Sequence, residues 1–192
     1  MEKIRAFIAL EMPEPIRRNL ADICERLKRE LSDVPLRWVP IQNMHLTLKF
    51  LGDVRPDQVE KITLVIGRLC SHYSPFEISV DKLGVFPNKQ RARVLWVGID
   101  SQISLNKLVD AFEMDLSELG FAGESRSYSP HLTLARVRGH ARPVDLQKIN
   151  ELVSSTSIPR SASALANKIV LFRSELNPSG SVYNALSKFV LT

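Results

Sequence analysis

Cysteine is nearly absent. Only Cys24 and Cys70 occur among the 192 residues. They lie far apart and form no C-x-x-C, so neither a disulfide framework nor a redox pair is expected. Each falls on an apolar helical stripe and reads as a buried thiol in a reducing compartment. Long apolar runs are missing too: none approaches the roughly 18 residues needed to span a bilayer. Met1-Glu2-Lys3-Ile4-Arg5 leads straight into a strand-like stretch and lacks the uninterrupted apolar core of a signal peptide. The expectation is a cytoplasmic protein with no membrane contact. Glycine is limited to 8 residues beside 11 prolines, without a G-X-Y period, which excludes collagen-like and low-complexity chains. No Gly/Ser linker or charge run divides the chain, so residues 1–192 are expected to form one domain.

What is present is an ordinary globular balance, 44% hydrophobic and 24% charged, which excludes a disordered chain. The length suffices to bury a core without disulfides or structural metal. Lys and Arg number 26 against 21 Asp and Glu, a net charge of +5. That excess permits a polyanionic partner and does not require one.

Alternation over residues 4–10 predicts a strand. Glu14-Pro15 opens a helix, since proline is tolerated in a first turn. Ile16, Leu20, Ile23, Leu27 and Leu31 continue it at helical spacing to about residue 33. Its opposite face carries Arg17, Arg18, Asp22, Arg26 and Arg29, a solvated face first and a basic patch second. His45–Leu51 reads as a strand ended by Gly52-Asp53, followed by a helix over about 56–71. Residues 76–81 alternate as a half-buried strand. Val94–Ile99 is apolar on both faces, the pattern of a central strand. A helix fits 102–119, with Gly120 placed to stop it. His131–Val137 is a further strand, and 143–154 a short helix. Ile169–Phe172 and Val182–Leu191 flank Asn177-Pro178-Ser179-Gly180, a hairpin signal. Interleaved strands and helices with several hairpins favour an α+β fold with largely antiparallel sheets.

Histidine occurs four times, and two copies open the same tetrapeptide: His45-Leu46-Thr47-Leu48 and His131-Leu132-Thr133-Leu134. In a strand, residues i and i+2 share a face. His45 and Thr47 therefore point one way, as do His131 and Thr133, while the four leucines point into a core. Brought together, two such strands offer two imidazoles and two hydroxyls. Imidazole titrates near neutral pH, so one ring takes a proton while the other gives one. The hydroxyls steady an anion between them. This set suits in-line displacement at phosphorus, where attacking and leaving oxygens lie on opposite sides. A single His-x-Thr is usually a half-exposed polar pair; two copies using half the histidines shift the weight to function. A metal site fits poorly, because neither histidine has a second ligand at i+2 to i+4. No cofactor is expected. His72 and His140 read as solvated.

These residues resemble the 2H phosphoesterase superfamily, defined by paired H-x-T/S-x motifs, and within it the bacterial and archaeal RNA 2′,3′-cyclic phosphodiesterases, also called 2′-5′ RNA ligases. The resemblance runs through Arg5–Leu10, Arg37-Trp38-Val39-Pro40, His45–Gly52, Gly84-Val85-Phe86-Pro87, Arg93–Gly98, Ser129–Arg136 and Leu171–Leu176. It implies two pseudo-symmetric lobes around a central cleft, each a mainly antiparallel sheet with helices outside and one motif in each. It also implies metal-independent opening of RNA 2′,3′-cyclic phosphates to 2′-phosphomonoesters, and ATP-independent 2′-5′ joining of tRNA halves. His45 is then the proton donor to the leaving 3′-oxygen and His131 the acceptor from water; the residues by themselves do not orient the pair. The implied partner is RNA with a cyclic-phosphate end or a related nucleotide, bound by a monomer. A catalytically silent RNA- or nucleotide-binding module of the same fold is the alternative.

Arg136 completes the family's H-x-T-x-x-R pattern as a phosphate contact, yet at i+5 it faces away from His131 unless the strand bulges. Phe50 and Trp38 are candidates for stacking on a base, although Phe50 shares parity with Leu46 and Leu48, which favours core packing equally. Tyr128 either lines the cleft or caps a strand. Lys89, Arg91 and Arg93 hold an RNA backbone or form an ordinary charged turn.

Overall fold

The computed structural model describes residues 3–101, 103–124, 126–158, 163–177 and 180–192. Nine strands and four helices alternate among the described residues: β1 Ile4–Glu11, α1 Glu14–Glu30, β2 Leu36–Trp38, β3 His45–Val54, α2 Pro56–Cys70, β4 Phe76–Phe86, β5 Val94–Ser101, α3 Ile103–Ser117, β6 His131–Val137, α4 Pro143–Ser155, β7 Ser163–Ala166, β8 Lys168–Asn177 and β9 Gly180–Val190. They form two sheets, β3-β1-β8-β9 and β2-β6-β5-β4-β7, and every strand pair is antiparallel. The fold is α+β with two lobes.

Helices form where the apolar stripes predict. α1 buries Ile16, Leu20, Ile23, Cys24 and Leu27, and it ends a little before the expected residue 33. Its basic face pairs internally, Arg17 with Glu14 at 2.8 Å and Arg26 with Glu30 at 3.7 Å, as a solvated face does. α2 and α3 pack together beside the first sheet, while α1 and α4 contact strands of the second. Cys24 and Cys70 are buried free thiols, and burial pushes both up to about 11. No helix among the described residues is long and apolar enough to cross a membrane.

β5 is the middle strand of its sheet, as its two apolar faces predict. Other bounds shift. β3 continues through Gly52 to Val54 instead of stopping at Gly52-Asp53, because Gly52, at φ +68°, absorbs an irregularity opposite Ala6. β4 runs to Phe86, not residue 81, because its register slips between Val80 and Leu83 and then resumes. The β8–β9 hairpin pairs Asn177 with Gly180, and its turn residues Pro178 and Ser179 lie outside the described residues. Strands β2 and β7 span only three and four residues, too short to register as a period.

Candidate active site

The two tetrapeptides open β3 and β6. These strands approach each other where the sheets meet, with Cα atoms within 8 Å. In each, both leucines are buried while the histidine and threonine keep partial exposure. His45 Nδ1–H donates to the Asn43 carbonyl at 2.8 Å, and His131 Nδ1–H donates to the Ser129 carbonyl at 2.8 Å. The acceptor in both cases is the backbone oxygen two residues upstream. A carbonyl only accepts, so each Nδ1 carries the hydrogen and each Nε2 is left for chemistry.

Both strands bulge at the same place. In the β1–β3 ladder Ile8 faces Lys49 but Ala9 faces Thr47, so Leu48 is the extra residue. In the β5–β6 ladder Leu95 faces Ala135 but Trp96 faces Thr133, so Leu134 is the extra residue. The inserted residue reverses parity downstream. Lys49 and Ala135 are consequently buried with the leucines, and the fifth residue after each histidine emerges on the histidine face. Arg136 is therefore exposed beside Thr133. Phe50 is 65% exposed, which corrects the core position that its parity with Leu46 and Leu48 suggests. Its ring lies 6.0 Å from that of Phe7, and Phe7 stacks on His45 at 4.7 Å.

Aromatic walls support both histidines. Tyr183 meets His45 edge-on at 5.0 Å, and Phe172 lies 5.7 Å away. Phe86 meets His131 edge-on at 4.8 Å, with Trp96 at 6.1 Å. Gly84 makes the second wall possible, since a Cβ there would sit 2.1 Å from the Trp96 ring. Burial of His45 against apolar surface lowers its pKa to about 4, opposed by the bond to Asn43. Periodicity does not single out the rings of Phe7, Phe172, Tyr183, Phe86 and Trp96; Phe7, Phe86, Trp96 and Phe172 fall in the sequence blocks of the resemblance, and Tyr183 lies outside them.

Tyr128 is half-buried, and its hydroxyl donates to the Thr47 carbonyl at 2.9 Å. Burial raises its phenol well above the usual range. It joins the segment entering β6 to the strand of the first motif. Trp38 falls on the opposite face of β6 from His131 and Thr133. It faces Ala135, on the buried side of β6, and Lys28 of α1 covers its ring at 5.8 Å. Lys89 donates to the Ser154 hydroxyl at 3.1 Å and accepts from Asn150 through its carbonyl at 2.7 Å, so this turn is docked on α4. His72 and His140 are exposed. Among the described residues, no group of three or more His, Cys, Asp or Glu is placed to hold a metal ion.

The family model for LigT-like phosphoesterases matches the chain twice, over residues 10–96 and 97–183. Each match encloses one tetrapeptide. The RNA 2′,3′-cyclic phosphodiesterase of Methanothermobacter thermautotrophicus is 35% identical over 189 residues, covering 98% of this chain and 100% of that protein. That of Aquifex aeolicus is 29% identical, covering 100% and 99%. Among solved structures, TT0787 of Thermus thermophilus superposes with a TM-score of 0.81 at 26% identity, covering 98% of both chains. Apo LigT of E. coli gives 0.78 at 25% identity, covering 100% and 99%. With a match around each motif and relatives along the whole chain, this protein belongs to the LigT-like phosphoesterase family.

Proposed function

We propose that this phosphoesterase hydrolyses the 2′,3′-cyclic phosphate at RNA 3′ ends to a 2′-phosphomonoester, using His45 and His131 as the acid–base pair. The observation that carries the reading is the matched tethering of the two imidazoles: each Nδ1 is held by the carbonyl two residues upstream, on strands of the two sheets that approach each other. Relatives over almost the whole length are named for this activity. In this reading residues 1–192 act as one domain of two lobes with one motif in each.

His131 Nε2 takes a proton from water, and the hydroxide oxygen bonds to phosphorus. The phosphorus–O3′ bond breaks on the far side, and His45 Nε2 gives O3′ its proton. The products are a 3′-hydroxyl and a 2′-phosphate, with the proton count restored by exchange between rings and solvent. Thr47 and Thr133 hydroxyls donate to the non-bridging oxygens, where charge accumulates. Arg136 adds a cation on the same face, and Phe50 offers a flat apolar surface to a base. With His45 neutral in the free protein at neutral pH, its proton arrives with the phosphate, whose negative charge favours the imidazolium. A 5′-hydroxyl taking the place of water in the same displacement leaves a 2′-5′ phosphodiester and a free 3′-hydroxyl, joining without ATP.

The test is turnover of a dinucleotide 2′,3′-cyclic phosphate in EDTA, with products separated by chromatography against 2′- and 3′-phosphate standards. The expected product is the 2′-phosphate, with His45→Ala and His131→Ala each slowed on the order of 10²–10⁴-fold. The double variant should be little slower than the slower single one, because the pair acts as a unit. Binding without turnover would make the protein a binding module instead. A 3′-phosphate product would overturn the orientation while leaving the pair.

A further inference from the structure

β6, which carries His131, approaches β3, which carries His45, and β5 and then β4 lie beyond β6 in its sheet. Each strand step is about 4.8 Å. In-line displacement puts the leaving O3′ beside His45 and the nucleophile beside His131, on opposite sides of phosphorus. Whatever carries the nucleophile therefore lies towards β5 and β4.

That side has room for more than water. Trp96 of β5 lies 6.1 Å from the His131 ring and stacks on Phe86 at 5.0 Å. Gly84 of β4 has no side chain, so the indole reaches over this strand. β7 pairs with β4 only over Phe76–Ser79. Among the described residues, no strand continues along the outer edge of β4 at Lys82–Val85, so that edge keeps N–H and C=O groups outside any ladder. A cavity of about 620 Å³ opens here, between the strand, the turn at Lys89 and α4. Leu83, Val85, Trp96 and Val153 line it, together with Lys82 and Gln90.

An apolar slot with a few polar groups, within the roughly 300–1,000 Å³ of small-ligand sites, is what a flat heterocycle needs. A base stacks on aromatic surface whatever its identity. Lys82 suits a phosphate that follows the base. A second cavity, about 500 Å³, shares Lys89, Gln90 and Ser154 with the first and continues along α4 as far as Pro143. The two together have length for a second nucleotide.

We propose that the cavity at the free edge of β4 is an acceptor subsite: it seats the 5′-terminal nucleotide of a second RNA end and presents its 5′-hydroxyl to phosphorus from the His131 side. The subsite rests on the phosphodiesterase reading above. The hydroxyl gives its proton to His131 Nε2 as O5′ bonds to phosphorus. The phosphorus–O3′ bond breaks, and O3′ takes the proton of His45 Nε2. A seated hydroxyl competes with water because its encounter with phosphorus is no longer a chance collision.

The experiment supplies a nucleoside 2′,3′-cyclic phosphate at saturation and varies three acceptors: a nucleoside with a free 5′-hydroxyl, a dinucleotide with a free 5′-hydroxyl, and methanol. Joined, methylated and hydrolysed products are separated by chromatography. The expected initial rate of joining levels off with nucleoside or dinucleotide concentration, as a filled site requires, while methanolysis stays proportional to methanol. Ser154→Trp places an indole at the shared wall of the two cavities, on an exposed position, and a thermal melt confirms folding. It should lower the joined-to-hydrolysed ratio about tenfold or more, the worth of one stacked base, and leave the methanolysed-to-hydrolysed ratio unchanged. Lys82→Glu should lower the ratio more for the dinucleotide than for the nucleoside, because only the dinucleotide brings a phosphate. Joining that rises in proportion to acceptor without levelling, or variants that lower joining and methanolysis equally, overturn the subsite. So does hydrolysis by the wild type with no joined product; each of these leaves the phosphodiesterase reading intact. A wild type that does not turn over the cyclic phosphate overturns both.

Discussion

The Tyr128 hydroxyl donates to the carbonyl of Thr47 at 2.9 Å, and this bond couples the two motifs. Thr47 lies two residues after His45. Tyr128 adjoins Ser129, whose carbonyl holds the ring of His131. Displacement of either strand would therefore alter the separation of the imidazoles, and misplacement by about 1 Å costs on the order of 10²-fold in rate. Tyr128→Phe keeps the ring and removes the strut. Steady-state kinetics should show kcat reduced about tenfold or more, with KM little changed, since no substrate contact is lost. Denaturant unfolding should show a loss of only about 1 kcal/mol. An unchanged kcat would mean that the backbone alone sets the spacing.

Phe50 stands where Arg136 stands in the other lobe, five residues beyond its histidine. Exposed aromatic surface at a nucleotide site stacks on any base, and such stacking is worth about 1–3 kcal/mol. Phe50→Ala should raise KM about tenfold or more, by similar factors for substrates ending in each of the four bases. Phe50→Trp should retain wild-type binding. An increase confined to one base would show that Phe50 reads a base edge by its neighbours instead of offering a platform.

These two positions also show how far the sequence could be read. The helices were legible because their stripes bury the residues that periodicity marks, such as Ile16, Leu20 and Leu27 on α1. The motif strands were legible because a repeated tetrapeptide with alternating polarity has one geometry, and β6 runs over His131–Val137 as expected. The positions of Phe50 and Arg136 were not, because one extra residue at Leu48 and at Leu134 inverts the side chains that directly follow. A bulge has no compositional mark here; Leu48 and Leu134 look like any core leucine.

Lys49, displaced inward by the first bulge, is 4% exposed. Its ammonium meets Glu113 Oε2 at 2.5 Å and the Ala122 carbonyl at 2.6 Å. The same Glu113 oxygen accepts from the Glu124 backbone N–H at 3.1 Å. The cluster joins β3, α3 and the segment that leads towards the second motif. Glu113→Gln leaves a buried ammonium without its counter-charge, which costs about 3 kcal/mol. Lys49→Met with Glu113→Gln together should recover much of that loss, because no unpaired charge remains. Urea unfolding of the two variants measures the difference. Equal stability of single and double variants would show that the ammonium finds enough solvent and carbonyl contact without the carboxylate.

His45 provides the pH test. Burial among Phe7, Phe172 and Tyr183 lowers its pKa to about 4 from the ordinary 6.5. The unfolded chain therefore binds a proton between these values that the folded chain does not. Stability from the neutral ring is present above about 6.5 and is lost as pH falls through 6.5 towards 4. His45→Gln should flatten the slope of unfolding free energy against pH in that window, since glutamine does not titrate. A phosphate ester reverses the local balance: an anion beside Nε2 favours the imidazolium and raises the value. By linkage, a 2′-phosphate product should bind more tightly as pH falls from the raised value towards 4. Nitrogen-15 NMR of the imidazoles, with and without a nucleoside 2′-phosphate, reads both values directly. The proton-donor role requires the His45 signal to move up towards neutrality when the phosphate is bound. A ring that still titrates near 4 in the complex has no proton to give at neutral pH, and the donor role would pass to His131.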